Sequence, residues 1–410
     1  MDPCFQPAGT LAGESGDGPH GGDGFFQIPT VQARVALEKE RIVNVWIVAD
    51  VPGAVPGGMM RHMLSHADGL LRLGHRATVF FSDAFWSSGI AGVDLRSSGL
   101  RSCASLLARC RHEVPDIVNV HSLIAPTWIL AQRLGLLQAT KIVVMSYGAD
   151  ERALPTQPGI RPALARLRIA LPARSAIPHA AGIWCLNRED MEFYVSRYKV
   201  DEKRISLTPH AVGDLFYEPT GDVRRTVLQL LFVGTWIERK GIGILSAMLP
   251  QLLSQYPDLK LVLAGTIAAE REVRATFPEQ VQGAIRVLPV LGPEQLRKLY
   301  DESALLLVAS ELEGLPIVLL EAMARGCPSL SAANSGMKDV IEDDQNGWLL
   351  ESRDPKVWAD RIGSLLSDQA ELERVGERAR TFAERFRTET VARRALEWYG
   401  SLLEGRTRSP

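Results

Sequence analysis

The sequence predicts an α/β protein built from two parallel sheets, each covered by helices on both faces. Three observations carry that expectation. From Arg41 onward, short apolar runs alternate with longer amphipathic ones, the β-α rhythm of a doubly wound sheet. The rhythm breaks once, at residues 213–226 (GDLFYEPTGDVRRT), where Gly, Pro and charge mix, and then it starts again. The chain has 410 residues, 46% of them hydrophobic, enough for two or three units that each bury a core.

The first 38 residues stand apart. AGTLAGESGDGPHGGDG is rich in Gly and acidic residues and poor in aliphatics, so it cannot offset its ordering entropy and is expected to be a disordered tail. Residues 39–215 form the expected N-terminal lobe. Its strands are IVNVWIVA (42–49), RATVFF (76–81), DIVNVH (116–121), KIVVM (141–145), AGIWCL (181–186) and RISLTP (204–209). A helical pattern spans 59–73, with Gly74 placed to end it. Residues 227–386 form the C-terminal lobe, with strands VLQLLFVG, KLVLAG, AIRVLP and SALLLVAS and helices near 241–255, 293–302, 354–367 and 370–385. A last helix lies within 387–410.

Charged residues make up 23% of the chain and the formal net charge is −2. That balance creates no global field for nucleic acid, and no nucleic-acid partner is expected. The five cysteines (Cys4, Cys103, Cys110, Cys185, Cys327) have no Cys-x-x-Cys spacing, as expected of reduced thiols in a cytosolic protein. No apolar run approaches the ~18 residues of a membrane span, and the N-terminus lacks the pattern of a secretory signal.

Ligands of open α/β sheets bind beyond the carboxyl ends of the strands, and four segments there carry polar chemistry. The most informative is SELEGLPIVLLEAMARGCP (310–328). A buried strand ends near Ala309, a polar loop holds Glu311, Glu313 and Gly314, and Pro316 suits the first turn of a helix that runs to about Arg325. Such a helix start turns free N–H groups toward an anion. Glu321 lies within the helix among Leu319, Leu320, Ala322 and Met323, an apolar setting in which a carboxylate needs a partner. The second segment, FVGTWIERKG (232–241), places Arg239 and Lys240 side by side, which suits either a departing diphosphate or a solvated basic loop. The third, PGAVPGG (52–58), allows close backbone approach at Gly57 and Gly58, as any tight strand–helix turn would. The fourth, MSYGADE (145–151), carries Tyr147 and Asp150. His121 reads equally as a cleft or a core residue.

Taken together, Glu, seven residues and Glu within EGLPIVLLEAMARG resemble the signature of the retaining family-4 glycosyltransferases. The likeness runs from Ile42 to about Tyr399. It implies a GT-B fold: two Rossmann-like lobes facing across a cleft, with the last helix crossing back to the N-terminal lobe. It implies that Glu313 meets donor-sugar hydroxyls, that Glu321 meets the ribose, and that Gly314, Leu315 and Pro316 face the diphosphate. Lys240 matches the family's cation, whereas Thr235 stands where the family has Arg and leaves Arg239 to compensate. Gly57 and Gly58 match its N-terminal loop. Tyr147 stands where the family has His, with Asp150 in the same motif on the acceptor or sugar side. The implied reaction moves a hexosyl group from a UDP- or GDP-sugar to a hydroxyl of a glycan or lipid-linked acceptor. It keeps the anomeric configuration and uses no metal and no cofactor. The rival readings are a sugar phosphorylase of the same fold and a non-catalytic nucleotide-sugar binder. Residues 161–179, with Arg161, Arg166, Arg168 and Arg174 among aliphatics, suit either a surface helix or peripheral contact with an anionic membrane.

Overall fold

The first half of the chain supplies six strands: Asn44–Val48 (β1), Arg76–Phe80 (β2), Ile117–His121 (β3), Lys141–Met145 (β4), Gly182–Cys185 (β5) and Ile205–Leu207 (β6). The second half supplies Thr226–Val233 (β7), Lys260–Ala264 (β8), Ile285–Leu288 (β9), Ser303–Val308 (β10), Ser329–Ala332 (β11) and Trp348–Leu350 (β12). The helices are Gly58–Arg72 (α1), Leu100–Arg109 (α2), Ala125–Arg133 (α3), Arg188–Tyr198 (α4), Ile242–Gln255 (α5), Glu270–Ala275 (α6), Pro293–Glu302 (α7), Ile317–Ala324 (α8), Ser335–Val340 (α9), Pro355–Leu366 (α10), Gln369–Ala383 (α11) and Thr388–Leu403 (α12). This computed structural model describes residues 41–49, 57–81, 100–110, 113–121, 124–146, 171–219 and 226–405.

Both sheets are parallel throughout. The first runs β2-β1-β3-β4-β5-β6 and the second β12-β11-β10-β7-β8-β9. Buried parallel strands need apolar residues on both faces; β1 and β10 are buried at every position. The strand order reverses between β1 and β3 in one sheet and between β7 and β10 in the other. Those reversals open the crevices in which doubly wound folds hold ligands.

The sequence reading missed β11 and β12. SLSA is half serine, and WLL is three residues long, so neither shows the apolar run that marks a buried strand. Tertiary pairing makes them strands, β11 against β10 and β12 against β11. The end of α1 follows expectation: Gly74 has φ +84, and the His75 N–H donates to the Leu70 carbonyl.

One apolar cluster runs through both lobes and includes Ile47, Met63, Leu306, Leu315, Leu320 and Trp398. Two more clusters fill the remaining sheet faces. Val212 N–H donates to the Phe386 carbonyl at 2.8 Å, where the chain returns from the second lobe to the first. Helix α12 then packs on α1. A Cβ on Gly69 would lie 2.7 Å from Ala392 Cβ and 2.9 Å from the Thr388 carbonyl oxygen, so the two helices cross at a position that admits only glycine. Tyr399 Oη of α12 lies 3.0 Å from Asn119 Nδ2 and 3.1 Å from His66 Nε2. No helix among the described residues is long and apolar enough to cross a membrane.

Candidate active site

The crevice of the second lobe begins with a backbone constraint. Residues 238–240 form a short turn that ends at Gly241, which has φ +78 and caps α5. A Cβ there would lie 2.2 Å from the Ala309 carbonyl oxygen, so the basic turn rests directly on the end of β10. Glu311 N–H donates to the Arg239 carbonyl at 2.8 Å and ties the two loops together. Lys240 Nζ thereby comes to 2.5 Å from Glu313 Oε1, and Arg239 Nη1 to 3.8 Å from the same oxygen. Arg239 Nη1 also donates to the Leu312 carbonyl at 2.5 Å. The Glu313 side chain is 11% exposed, and two cations compensate a carboxylate taken this far from water.

The chain beyond Glu313 runs through Gly314 and Leu315 into α8. Pro316 precedes the helix as its cap, with ψ +117, instead of opening the first turn as expected. Its extended ψ delays the helix by one residue. Leu319 N–H still reaches the Pro316 carbonyl at 3.0 Å. The helix stops as expected, with Arg325 as cap and Gly326 at φ +64. Glu321 is 1% exposed. Its Oε1 accepts from Arg61 Nη1 at 2.6 Å and its Oε2 from Tyr300 Oη at 3.1 Å. Burial pushes its carboxyl up, while the Arg61 charge and the Tyr300 hydrogen bond pull the other way. Burial beside Glu321 likewise pushes the Tyr300 hydroxyl up.

Arg61 belongs to α1 of the first lobe, so this ion pair crosses between lobes. A Cβ on Gly58 would lie 3.5 Å from Ile317 Cγ2, which places the starts of α1 and α8 side by side. Two helix N-termini, each with partial positive charge, therefore meet near Gly57, Gly58 and the segment Gly314–Pro316.

Helix α4 of the first lobe also reaches across. Asn187 Nδ2 donates to the Gly314 carbonyl at 2.6 Å. Arg188 N–H donates to Asp339 Oδ2 at 2.7 Å, and Ser335 Oγ donates to Glu189 Oε2 at 2.9 Å. The sequence reading missed Arg61, Tyr300 and Asn187. Asn187 had a readable signal as a helix cap before Arg188-Glu189-Asp190; its interlobe bond had none. Behind Arg61, His62, His66 and His210 gather with Trp184. Burial pushes His66 down to about 3; burial and then the Arg61 charge do the same for His210.

Tyr147 and Asp150 lie outside the described residues, as do residues 1–40 and 161–170. Of His121 only the backbone is described, at the end of β3. Within 171–179, Ala173, Ala176 and Ile177 are buried, while Leu171 and Arg174 face outward.

Residues 56–213 match the family described as Glycosyltransferase Family 4, and residues 222–382 match Glycosyl transferases group 1. The chain belongs to the group 1, family-4 glycosyltransferases. It is 30% identical over 239 residues to a D-inositol 3-phosphate glycosyltransferase of Xylanimonas cellulosilytica, covering 53% of this chain and 56% of that protein. The chain spans about half the length of the curated relatives it matches. Among solved structures, it is similar to sucrose-phosphate synthase from Thermosynechococcus elongatus. That likeness has a TM-score of 0.72 at 18% identity and covers 88% of this chain and 100% of that one. It is also similar to Anabaena HepE in complex with UDP and glucose, with a TM-score of 0.64 at 16% identity and coverage of 87% and 99%. These likenesses show that this family-4 member has the GT-B fold.

Proposed function

We propose that this family-4 protein transfers a hexosyl group from a UDP- or GDP-sugar to a hydroxyl of a glycan or lipid-linked acceptor in glycoconjugate biosynthesis. One observation carries the reading. At the switch point of the second sheet, Glu313, Lys240 and Arg239 converge beside the start of α8. Glu313 would hold donor-sugar hydroxyls. Lys240, Arg239 and the N–H groups of Gly314 and Leu315 would hold the diphosphate, whose negative charge grows as the C1–O bond breaks. Glu321 would meet the ribose after Arg61 gives way, because its carboxylate is 1% exposed. The UDP bound in the HepE structure supports a uridine donor.

The reaction is proposed to retain the anomeric configuration. A front-face path needs a strong site for the leaving diphosphate, whose oxygen accepts the acceptor's proton as the new glycosidic bond forms. The Lys240–Arg239 pair suits that demand. No metal or cofactor is proposed, since cations and helix dipoles are available for the diphosphate. Peripheral membrane contact through 161–179 is consistent with outward Leu171 and Arg174.

The test is a thermal-shift panel of UDP, GDP and their sugars, followed by product analysis with the stabilising donor in chelator. A ligand at 100 times its dissociation constant adds ~2.7 kcal/mol of stability. Free nucleotide, a glycosylated acceptor and an anomeric coupling matching the donor are expected. Binding without turnover would leave a non-catalytic binder, and an inverted product would overturn the front-face mechanism.

A further inference from the structure

Asn187 sits at the start of α4, in the lobe opposite Glu313, and is fully buried. Its side chain makes two kinds of bond. Oδ1 accepts the Asp190 N–H at 2.7 Å, the ordinary work of a helix cap. Nδ2 points the other way, to the Gly314 carbonyl at 2.6 Å and Asp190 Oδ2 at 3.2 Å. Asp190 Oδ2 in turn accepts from Ser146 Oγ at 3.1 Å. The amide is therefore held in one orientation, with its NH2 toward the second lobe.

The Gly314 carbonyl belongs to the peptide that joins Gly314 to Leu315. In a trans peptide the C=O and the next N–H point in opposite directions, and no cis bond occurs among the described residues. Fixing the Gly314 oxygen toward Asn187 fixes the Leu315 N–H on the opposite face of the loop. Among the described residues that N–H donates to no backbone group. The oxygen's other side is closed by α9, where a Cβ on Gly336 would lie 2.1 Å from it. The peptide plane is thus clamped between α4 and α9, one residue after Glu313.

We propose that Asn187 is a positioning residue of the donor site: its amide, supplied by the opposite lobe, sets the Gly314–Leu315 peptide so that the Leu315 N–H is presented to the donor's diphosphate. The inference rests on the donor-site reading of this loop. It makes nucleotide affinity depend on an interlobe hydrogen bond, so separated lobes would present a looser diphosphate site.

Two variants separate the clamp from the cap. Asn187→Ser keeps a good helix cap but is too short to reach Gly314. Asn187→Asp keeps the cap oxygen and turns a carboxylate toward both the Gly314 oxygen and Asp190. The full chain is measured by calorimetry with UDP and with GDP, by melting temperature, and by amide exchange over 312–318. For Asn187→Ser the melting temperature should stay near wild type, the exchange of 312–318 should accelerate, and affinity for the nucleotide that binds wild type should fall about tenfold, the scale of one hydrogen bond. Asn187→Asp should weaken it further. Wild-type affinity in Asn187→Ser would overturn the positioning role, even with faster exchange. If wild type binds neither nucleotide, the donor reading itself fails; unchanged exchange in Asn187→Ser would then show that the clamp is absent as well.

Discussion

Glu313 and Glu321 belong to one short segment, yet they occupy opposite kinds of environment. Glu313 keeps part of its surface at the cleft and is faced by two cations of its own lobe, Lys240 and Arg239. Glu321 is sealed inside, with one donor from its own lobe and one from the other, Tyr300 and Arg61. The difference follows from the backbone. Glu313 stands in a loop above the end of β10, while Glu321 lies within α8, whose residues are nearly all buried. A carboxylate at a cleft with matched cations is equipped to act on a ligand. A carboxylate closed in by an interlobe ion pair joins the two lobes.

Substitutions that treat the two alike should therefore give different results. Glu313→Gln should nearly abolish transfer, by about a thousandfold, the scale of removing one preorganised electrostatic partner, with little change in melting temperature. Lys240→Ala should lower kcat by about a hundredfold for the same reason. An effect confined to the acceptor KM would remove Lys240 from the diphosphate site.

Arg61→Met should act on the fold. It leaves Glu321 buried without its cation, which costs about 3–5 kcal/mol in denaturant unfolding at pH 7. Glu321 already has a raised carboxyl, and without Arg61 it should rise further. Protonation removes the buried charge, so the stability gap to wild type at the same pH should narrow as pH falls toward 5. Adding Glu321→Gln should recover stability at neutral pH. A single variant as stable as wild type would show that the pair does not hold the lobes.

The most gradual effect belongs to the histidines behind Arg61, because it is spread over several pH units. His66 and His210 are pushed down to about 3 in the fold, against an ordinary value near 6.5. Between these values the unfolded chain binds protons that the folded chain excludes. Stability is fully present above pH ~6.5 and falls by ~1.4 kcal/mol per pH unit for each histidine as pH drops below it. His66→Gln should flatten the pH dependence of unfolding by one such contribution. An unchanged slope would mean that His66 charges within the fold.

Local pattern is enough to read the periodic elements, the two-lobed α/β organisation and the residue types of the candidate site. Strands such as β1 and β10 are written as continuous apolar runs, and the strand-end placement of Glu313 and Lys240 follows from local pattern alone. The apolar neighbours of Glu321 already demanded a partner. Which partner answers was decided by tertiary structure. Arg61 lies 260 positions away, and Asn187 meets Gly314 over a separation of 127. Contacts of that range have no periodic signal in the chain. They depend on how α12 returns to pack on α1 and how α4 docks against α9. The same holds for β11 and β12, which are strands because β10 offers an edge to β11 and β11 in turn offers one to β12, while their own residues are too few or too polar to announce it.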